Sequence, residues 1–276
     1  MKRSERLVDM TKYLMERPHT LIALPFFAKR YGAAKSSISE DLAILKHTLA
    51  SNQDGVLETV AGAAGGVRYI PFLGKKHAEK YLKGLSKRIE DSSRILPGGF
   101  VYLSDILGKP DDLSKIGQLI ATRYAYSNID AVMTVETKGI SLANAVAGYL
   151  NVPAVTARKR SKVTEGATVA VNYISSSIER VAKMELPTRA LEKGSNVLIV
   201  DDFMKGGGTL TGMQQLVKEF DGTVGGVCVL CEADYEKDRL IKDYVSLISI
   251  TDIDTENETI SAEPGNFLTR TNFDRF

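Results

Sequence analysis

The stretch VLIVDDFMKGGGTLTG, residues 197–212, decides the fold of the larger part of this chain. An apolar run leads into two carboxylates, Asp201 and Asp202, and then into three glycines and Thr209, where a helix is predicted to begin. A buried strand, a glycine turn and a helix are the units of a parallel sheet, and such sheets bind ligands at the carboxyl ends of their strands. Backbone N–H groups of the turn and the helix N-terminus form a cradle suited to a phosphate.

Helix and strand patterns alternate around this stretch. The apolar spacing predicts amphipathic helices at residues 113–126 and 139–150. Short apolar runs predict strands at residues 129–136, 152–158, 196–203 and 222–232. Such alternation predicts an α/β fold, with a mainly parallel sheet flanked by helices.

The two aspartates indicate a ligand that carries hydroxyl groups or a bound cation in addition to phosphate. Because like charges repel, Asp201 and Asp202 do not favour a phosphate directly. They suit ribose hydroxyls, or the Mg²⁺ shell of a polyphosphorylated sugar. The stretch matches neither the Walker P-loop nor the dinucleotide-binding fingerprint. No resident cofactor is expected, and Mg²⁺ is expected only together with the bound ligand.

The N-terminal part has a different pattern. A helix is predicted before Pro18, which cannot continue it. Shorter helices are predicted from about Leu24 to Gly32 and from about Lys35 to Leu49. The spacing of Ala28, Gly32 and Ile38 is that of a helix-turn-helix: a small residue at the crossing, a glycine in the turn and an apolar residue beneath it.

The polar face of the second helix of this motif carries short or basic side chains suited to phosphates and base edges. Two short strands follow at residues 56–60 and 67–70, around the small-residue turn AGAAGG. The segment 1–74 therefore resembles the winged helix-turn-helix family, with a small helical protein-interaction domain as the alternative. The residues expected to contact DNA are Lys2, Arg3, Arg6, Lys35, Ser36, Ser37, Ser39, Lys46, Gly65, Gly66 and Arg68.

Charge and composition agree with this division into residues 1–74 and 75–276. The first segment carries 10 Lys and Arg against 7 Asp and Glu, whereas the second carries 26 against 27. Without a long apolar run or a signal-peptide pattern, no membrane association is expected and the location is expected to be cytoplasmic. Cys228 and Cys231 fall in a predicted strand and are expected to act as small apolar residues rather than as a metal or redox pair.

The stretch VLIVDDFMKGGGT closely resembles the phosphoribosyl pyrophosphate (PRPP) motif of type I phosphoribosyltransferases. In that family the two acids hold the ribose hydroxyls and the loop holds the 5′-phosphate. The resemblance implies ligand contacts from Asp201, Asp202, Phe203, Met204, Lys205, Gly206, Gly207, Gly208 and Thr209.

Two further loops resemble parts of the same family. The segment VETKGI, residues 135–140, is similar to the pyrophosphate loop and implies roles for Thr137, Lys138 and Gly139. Residues 157–173 resemble the loop that folds over PRPP, which implies that Arg158 and Lys159 meet the pyrophosphate. A solvated basic hairpin is the alternative for this segment.

Upstream, RILPGGFVYLSDILG, residues 94–108, resembles the opening of the xanthine and adenine branch of the family. The resemblance places Tyr102 where it could stack near the ligand, and it covers about residues 95–255. A charged helix is predicted to connect this part to the N-terminal one and to break at residues 97–99.

Departures from the enzyme pattern favour binding without turnover. Gly206 stands where the family usually has a hydroxyl residue, and Lys205 stands where it usually has a small one. The segment AEPGNFLTRTNF, residues 262–273, offers no clear set of groups to read a nucleobase. The alternative is an active purine phosphoribosyltransferase with an accessory nucleic-acid-binding domain.

The fusion of the two parts resembles the purine operon repressors of Gram-positive bacteria. This resemblance implies a homodimer that binds double-stranded operator DNA, with PRPP as the effector that releases the DNA. A purine nucleotide such as guanosine tetraphosphate is expected to compete for the same phosphate subsites. The expected protein is a sensor and not an enzyme.

Overall fold

In the computed structural model, residues 1–62, 65–160, 166–175, 180–235 and 237–276 are described. The N-terminal unit has the predicted winged helix-turn-helix fold, with three helices followed by a β-hairpin. Its elements are α1 (Arg3–Met15), α2 (Leu24–Tyr31), α3 (Lys35–Asn52), β1 (Gly55–Val60) and β2 (Gly66–Pro71). The predicted wing turn includes residues 63–64, which lie outside the described residues.

The helix-turn-helix forms for the reasons that its sequence indicates. Pro25 occupies the first turn of α2, where its missing N–H costs no hydrogen bond, and Gly32 ends the helix. Ile38, one turn into α3, is fully buried beneath the crossing of the two helices. Phe27 and Leu57 complete this small core, which is separate from the two cores of the larger unit.

The remaining chain alternates helices and strands as predicted. The elements before the central strand are α4 (Lys75–Ile89), β3 (Ile95–Leu96), β4 (Phe100–Val101), α5 (Ser104–Leu107), α6 (Pro110–Tyr124), β5 (Ala131–Val135), α7 (Gly139–Leu150), β6 (Ala154–Ala157), β7 (Thr168–Ser175) and β8 (Arg180–Pro187). The later elements are β9 (Asn196–Met204), α8 (Gly208–Glu219), β10 (Thr223–Ala233), β11 (Val245–Asp254), β12 (Thr259–Pro264) and α9 (Phe267–Arg270).

Six of these strands form one sheet in the order β12-β11-β10-β9-β5-β6, in which all pairs are parallel except β11 with β12. Side chains of β9 alternate between two cores: Leu198 and Val200 face α4, α6 and α7, whereas Val197 and Ile199 face α8 and the β7–β8 hairpin. A strand buried on both faces reads as a continuous apolar run, which is why residues 197–200 carry only apolar side chains. The predicted α/β fold is confirmed.

Cys228 and Cys231 lie in β10 and are fully buried without a disulfide bond. Burial raises the pKa of both thiols well above the ordinary value. Both therefore stay protonated and pack as apolar side chains, as expected from the sequence.

The predicted connecting helix is present, but it ends earlier than expected and it is not a linker. The helix α4 ends at Ile89, and residues 97–99 form the turn between β3 and β4. Leu82, Leu85 and Ile89 are buried in the core of the larger unit, so α4 is part of that unit's structure and not a free linker. No helix within the described part of the chain has the length and apolarity needed to cross a membrane.

The two units contact each other through a few specific interactions. The Tyr126 hydroxyl donates to Glu58 Oε1 at 2.6 Å, and the Leu73 N–H donates to Thr122 Oγ1 at 2.9 Å. Asn151, the residue that caps the end of α7, donates through Nδ2 to Thr20 Oγ1 at 3.1 Å. These bonds tie the wing hairpin and the turn after α1 to helices of the larger unit.

Candidate effector site and DNA-binding surface

A cavity of about 430 Å³ lies at the carboxyl ends of β5 and β9. This is the edge of a parallel sheet at which ligands bind. Three segments surround it: the β3–β4 hairpin, the loop between β5 and α7, and the turn between β9 and α8. The predicted site residues that line it are Thr137, Lys138, Lys159, Asp201, Asp202, Phe203, Met204, Lys205, Gly206, Gly207, Gly208 and Thr209.

The two aspartates form an acidic pair at the end of β9, with Asp201 buried and Asp202 partly buried. Asp201 is only 5% exposed, and the backbone N–H of Asp202 donates to its Oδ1 at 3.0 Å. Burial and the neighbouring Asp202 charge raise the pKa of Asp201 well above its ordinary value, and burial also raises the pKa of Asp202. The charges of Lys138 and Lys159 oppose these shifts without reversing them. The pair therefore favours a ligand that brings hydrogen-bond donors or a cation.

The turn after β9 has the backbone geometry that the predicted phosphate cradle requires. Gly207 caps α8 with a positive φ of 84°, and a side chain there would have its Cβ 2.6 Å from Ile241 Cγ2. Only glycine satisfies both conditions without strain. The 12-residue helix α8 begins at Gly208 and directs its N-terminal N–H groups and dipole towards the cavity, as an anion requires.

The segments after β5 and β6 contribute positively charged side chains to the cavity. Thr137 and Lys138 line the cavity directly. Glu136 accepts from the backbone N–H of Lys159 at 2.8 Å and from Arg158 Nη1 at 3.2 Å. Lys159 reaches the cavity wall, whereas Arg158 is held by Glu136 outside the lining. Residues 161–165 of the predicted covering loop lie outside the described residues.

Gly139 backs the acidic pair and does not line the cavity. A Cβ at this position would lie 2.1 Å from Thr134 Oγ1 and 3.3 Å from Asp201 Oδ1. The loop can therefore approach β9 only because residue 139 has no side chain. The sequence selected Gly139 as a ligand contact, whereas the structure places it in close packing behind the carboxylates.

We expect Gly139→Ala to lower the free energy of unfolding by about 1–3 kcal/mol, because a methyl group must displace buried Thr134 or the start of α7. Urea denaturation of the full chain measures this. Gly148→Ala on the same helix is the matched control, since its Cβ would meet open space. Because glycine is unfavourable inside a helix, the control should gain about 0.5–1 kcal/mol. Equal losses in the two variants would refute the packing role.

The hairpin of β3 and β4 closes the cavity with apolar side chains that the sequence reading did not select. Leu96, Pro97 and Phe100 line it, and Lys205 Nζ lies 5.0 Å from the centre of the Phe100 ring. Tyr102, which the sequence indicated, lies one residue beyond β4, is 43% exposed and is not among the described residues of the lining. The sequence signal was the Pro-Gly-Gly turn at residues 97–99. It folds the hairpin so that Phe100, two residues before Tyr102, lines the cavity.

The start of α3 presents the predicted polar surface. Lys35, Ser36 and Ser39 are exposed in the first turns, with Ser37 partly buried between them, and Lys46 is exposed further along the helix. The structure therefore brings these five residues onto the accessible side of one helix, as a helix entering the major groove requires.

The basic residues of α1 are arranged differently from the prediction. Arg3 Nε and Arg6 Nε bind the two oxygens of Asp41, at 2.9 and 2.5 Å, and the Arg6 side chain is only 12% exposed. Asp41 is a fully buried acid on α3 that the sequence reading missed. Its position three residues after Ile38, on the buried stripe, was the available signal. Lys2 precedes α1 and is exposed.

The wing residues are also placed differently. Arg68 Nε donates to Glu58 Oε2 at 2.7 Å, and its side chain lines a cavity between the two units. Gly66 is buried at the start of β2, while Gly65 is partly buried beside it. Contacts of these three residues with DNA therefore stay a prediction. The burial of Gly66 and the ion pair of Arg68 do not favour such contacts.

A winged helix-turn-helix fused to a phosphoribosyltransferase-type domain, with an acidic pair beside a phosphate cradle, defines a class of DNA-binding regulators with a domain built like an enzyme. Residues 2–71 match the family model "Bacterial purine repressor, N-terminal", and residues 104–264 match the phosphoribosyl transferase domain. Together with the relatives below, these matches show that the chain belongs to the bacterial purine repressor family, the transcriptional regulators of purine biosynthesis.

Curated relatives match over nearly the whole chain. The purine biosynthesis transcriptional repressor PurR of Bacillus subtilis is 53% identical, with 97% of this chain and 94% of that protein covered. The purine biosynthesis transcriptional activator PurR of Lactococcus lactis subsp. lactis is 47% identical, with 97% and 99% covered.

Two enzymes match a smaller share of the chain. Xanthine phosphoribosyltransferase of Alkaliphilus metalliredigens is 28% identical over 63% of this chain and 90% of the enzyme. The crystal structure of adenine phosphoribosyltransferase from Rhodothermus marinus superposes with a TM-score of 0.50 at 26% identity, over 56% of this chain and 88% of that one.

Proposed function

We propose that the protein is a cytoplasmic, homodimeric repressor that binds operator DNA of purine biosynthesis genes and releases it when PRPP occupies the cavity at the end of β9. The observation that carries the proposal is the acidic pair, buried Asp201 and partly buried Asp202, beside the glycine turn. Asp201 and Asp202 are ionisable groups in a desolvated site, and their raised pKa values favour a partner rich in donors. The ribose hydroxyls of PRPP supply those donors, and its 5′-phosphate suits the N-terminus of α8.

Two lysines of the lining suit the diphosphate of the same molecule. Lys138 and Lys159 provide two positive charges in the cavity wall. Asp201 and Asp202 would hold a Mg²⁺ ion bound together with PRPP, since carboxylates and phosphates are the ligands that Mg²⁺ prefers, and the ion would neutralise part of the diphosphate charge. A purine nucleotide carrying a diphosphate, such as guanosine tetraphosphate, would use the same subsites and compete with PRPP.

The site supports binding better than transfer. Lys205 lies 3.5 Å from the Gly98 carbonyl and next to the Phe100 ring, so it ties the β3–β4 hairpin to the turn after β9. A hairpin held across the cavity leaves less room for a nucleobase beside the ribose. An active purine phosphoribosyltransferase is the second candidate, and the match of residues 104–264 to the transferase domain is the observation that favours it.

Effector control requires only a difference in affinity. If PRPP binds the DNA-free form about a hundredfold more tightly than the DNA-bound form, it shifts the DNA equilibrium by about 2.7 kcal/mol. The bonds from Tyr126 to Glu58 and from Asn151 to Thr20 are contacts through which occupancy of the larger unit can alter the position of the winged unit.

Fluorescence anisotropy of labelled purine-promoter DNA, titrated with the full-length protein and Mg²⁺, tests the proposal. We expect tight binding that PRPP relieves, and no release of pyrophosphate when PRPP and free purine bases are mixed with the protein. Absence of DNA binding, together with base-dependent consumption of PRPP, would instead make the protein an enzyme.

The DNA-facing side is tested by removing one contact at a time. We expect Lys35→Ala to weaken operator binding by about 5- to 20-fold, because one phosphate contact is lost, and to lower the salt dependence of binding by about one ion. Affinity for PRPP should not change. Lys87→Ala, an equally exposed lysine at the end of α4, is the control. Unchanged operator affinity for Lys35→Ala would remove α3 from the interface.

A further inference from the structure

We infer that the cleft between the two units is a binding site for a small oxyanion of the phosphate class, separate from the cavity at the end of β9. The cleft encloses about 420 Å³ and receives side chains from both units. His19 and Arg68 come from the winged unit, and Tyr126, Asn151 and Arg275 come from the larger one. Imidazole, guanidinium and amide groups converging on one space are donors that suit an oxyanion.

The charge in the cleft is positive. Arg68 and Glu58 form an ion pair, so their charges cancel. Tyr126 donates to the same Glu58 and stays uncharged, because burial raises its pKa to about 12. Arg275 stacks over the Tyr126 ring, 4.8 Å from its centre, and among the described residues no carboxylate lies within 4.0 Å of it. The Arg275 charge therefore has no ion-pair partner among the described residues, and it shares the cleft with the imidazole of His19 and the amide of Asn151.

His19 gives the independent sign that a partner belongs there. Its backbone N–H donates to the Tyr69 carbonyl at 2.8 Å and its φ is 58°, so the residue is fixed at the boundary of the units. Its Nε2 atom is shielded from solvent and has no hydrogen-bond partner among the described residues. Buried polar atoms are almost always paired, which makes such an atom informative.

The electrostatic setting of His19 agrees with this inference. Burial and the Arg68 charge lower the pKa of its imidazole, with the Glu58 charge opposing them. An anion in the cleft would reverse this effect by favouring the imidazolium form. Its oxygens would accept from Arg275 of the larger unit and, once the His19 ring turns towards the cleft, from His19 of the winged unit, so that the anion links the two units. This binding does not depend on the effector proposed for the other cavity.

Histidine NMR of the full-length protein tests the site, because the chain has only three histidines. Inorganic phosphate is titrated at constant ionic strength with chloride as the balancing anion. We expect the His19 resonances to shift with saturation and the His19 pKa to rise, whereas exposed His47 and His77 show only the small shared drift of the buffer. A drift common to all three histidines would overturn the inference.

The variant Arg275→Gln removes the uncompensated charge at an exposed position, so the fold is retained. We expect it to weaken phosphate binding at His19 at least tenfold. A saturable His19 shift of unchanged midpoint in this variant would refute the assignment. A second titration uses duplex DNA in place of phosphate: a His19 shift seen with DNA alone would assign the cleft to a backbone phosphate and overturn the proposal of a free ion.

Discussion

Asp202→Asn is expected to weaken PRPP binding by about 10- to 150-fold while operator affinity stays unchanged. The substitution replaces a charged acceptor with a neutral one, and a hydrogen bond to a charged group contributes about 1.5–3 kcal/mol. Asp202 lines the cavity at the end of β9 and lies in a different unit from α3, so DNA contacts are untouched. The variant should repress at PRPP concentrations that release the unmodified protein. Calorimetric titration with PRPP and anisotropy with operator DNA measure the two affinities.

The same substitution, Asp202→Asn, is expected to change the stability of the protein in a direction that the pKa shift of Asp202 determines. Burial raises the pKa of Asp202 in the folded state, so the carboxyl group contributes stability below the ordinary aspartate pKa near 4 and loses it as the pH rises through the folded value. Above that range the ionised group destabilises the empty protein. Asp202→Asn should therefore have a higher melting temperature than the unmodified protein at pH 7, and the difference should vanish near pH 4.

Exposed Asp252→Asn is the control for both measurements and should change neither. Two results would contradict the assignment. One is unchanged affinity for PRPP in the Asp202 variant. The other is loss of operator binding in a variant that is still folded, since that would make Asp202 part of the structure that holds the winged unit.

The second large effect is expected at Asp41, where Asp41→Asn should lower the free energy of unfolding by about 3 kcal/mol and reduce operator affinity. Asp41 is fully buried and is the shared partner of Arg3 and Arg6, which join α1 to α3. Removing one side of a buried ion pair leaves charge without compensation, which costs about 3–5 kcal/mol. The exposed side of Arg3 favours the lower end of that range. Urea denaturation followed by circular dichroism measures the loss.

The pH dependence gives an independent check. Burial raises the pKa of Asp41, but hydrogen bonds from Arg6 and Arg3 outweigh it, and the net result is a lowered pKa. The pair therefore stabilises the protein above the ordinary aspartate pKa, and the contribution is lost as the pH falls through the lower folded value. The stability difference between Asp41→Asn and the unmodified protein should shrink on acidification.

Glu40→Gln serves as the matched control for Asp41. Glu40 is the adjacent acid, it contacts Arg3 at 3.4 Å and its side chain is 68% exposed. An exposed ion pair contributes about 0–1 kcal/mol, so this variant should be nearly as stable as the unmodified protein. If both substitutions cost the same, the burial of Asp41 is not what holds α1 against α3.

Local chemistry made much of the fold predictable. Pro25, Gly32 and Ile38 specify helix starts, turns and burial within a few residues of chain, and the structure has the helix-turn-helix that they indicate. The apolar run before Asp201 specifies a strand buried on both faces in the same way. Such signals depend only on residues that are close in sequence, so these elements can be predicted from a single amino-acid sequence.

The ion pairs made by the residues expected at DNA depend on partners elsewhere in the chain. Arg6 was expected at DNA because it is basic and near the N-terminus, but its partner Asp41 is 35 residues away. Arg68 pairs with Glu58 across the β1–β2 hairpin. The same Glu58 accepts a hydrogen bond from Tyr126, which belongs to the larger unit. Phe100 reaches the cavity because the β3–β4 hairpin folds over β9. Composition and periodicity carry no information on such pairings.

The helix α7 has its first residues at one site and its last at another. Lys138, which precedes it, lines the ligand cavity, and Asn151, which follows it, bonds to Thr20 of the winged unit. Its 12 residues span about 18 Å, and a hydrogen-bonded helix scarcely changes length under load. If a bound ligand moves the end at the cavity, the helix can carry that movement to Asn151 and the winged unit as one rigid element.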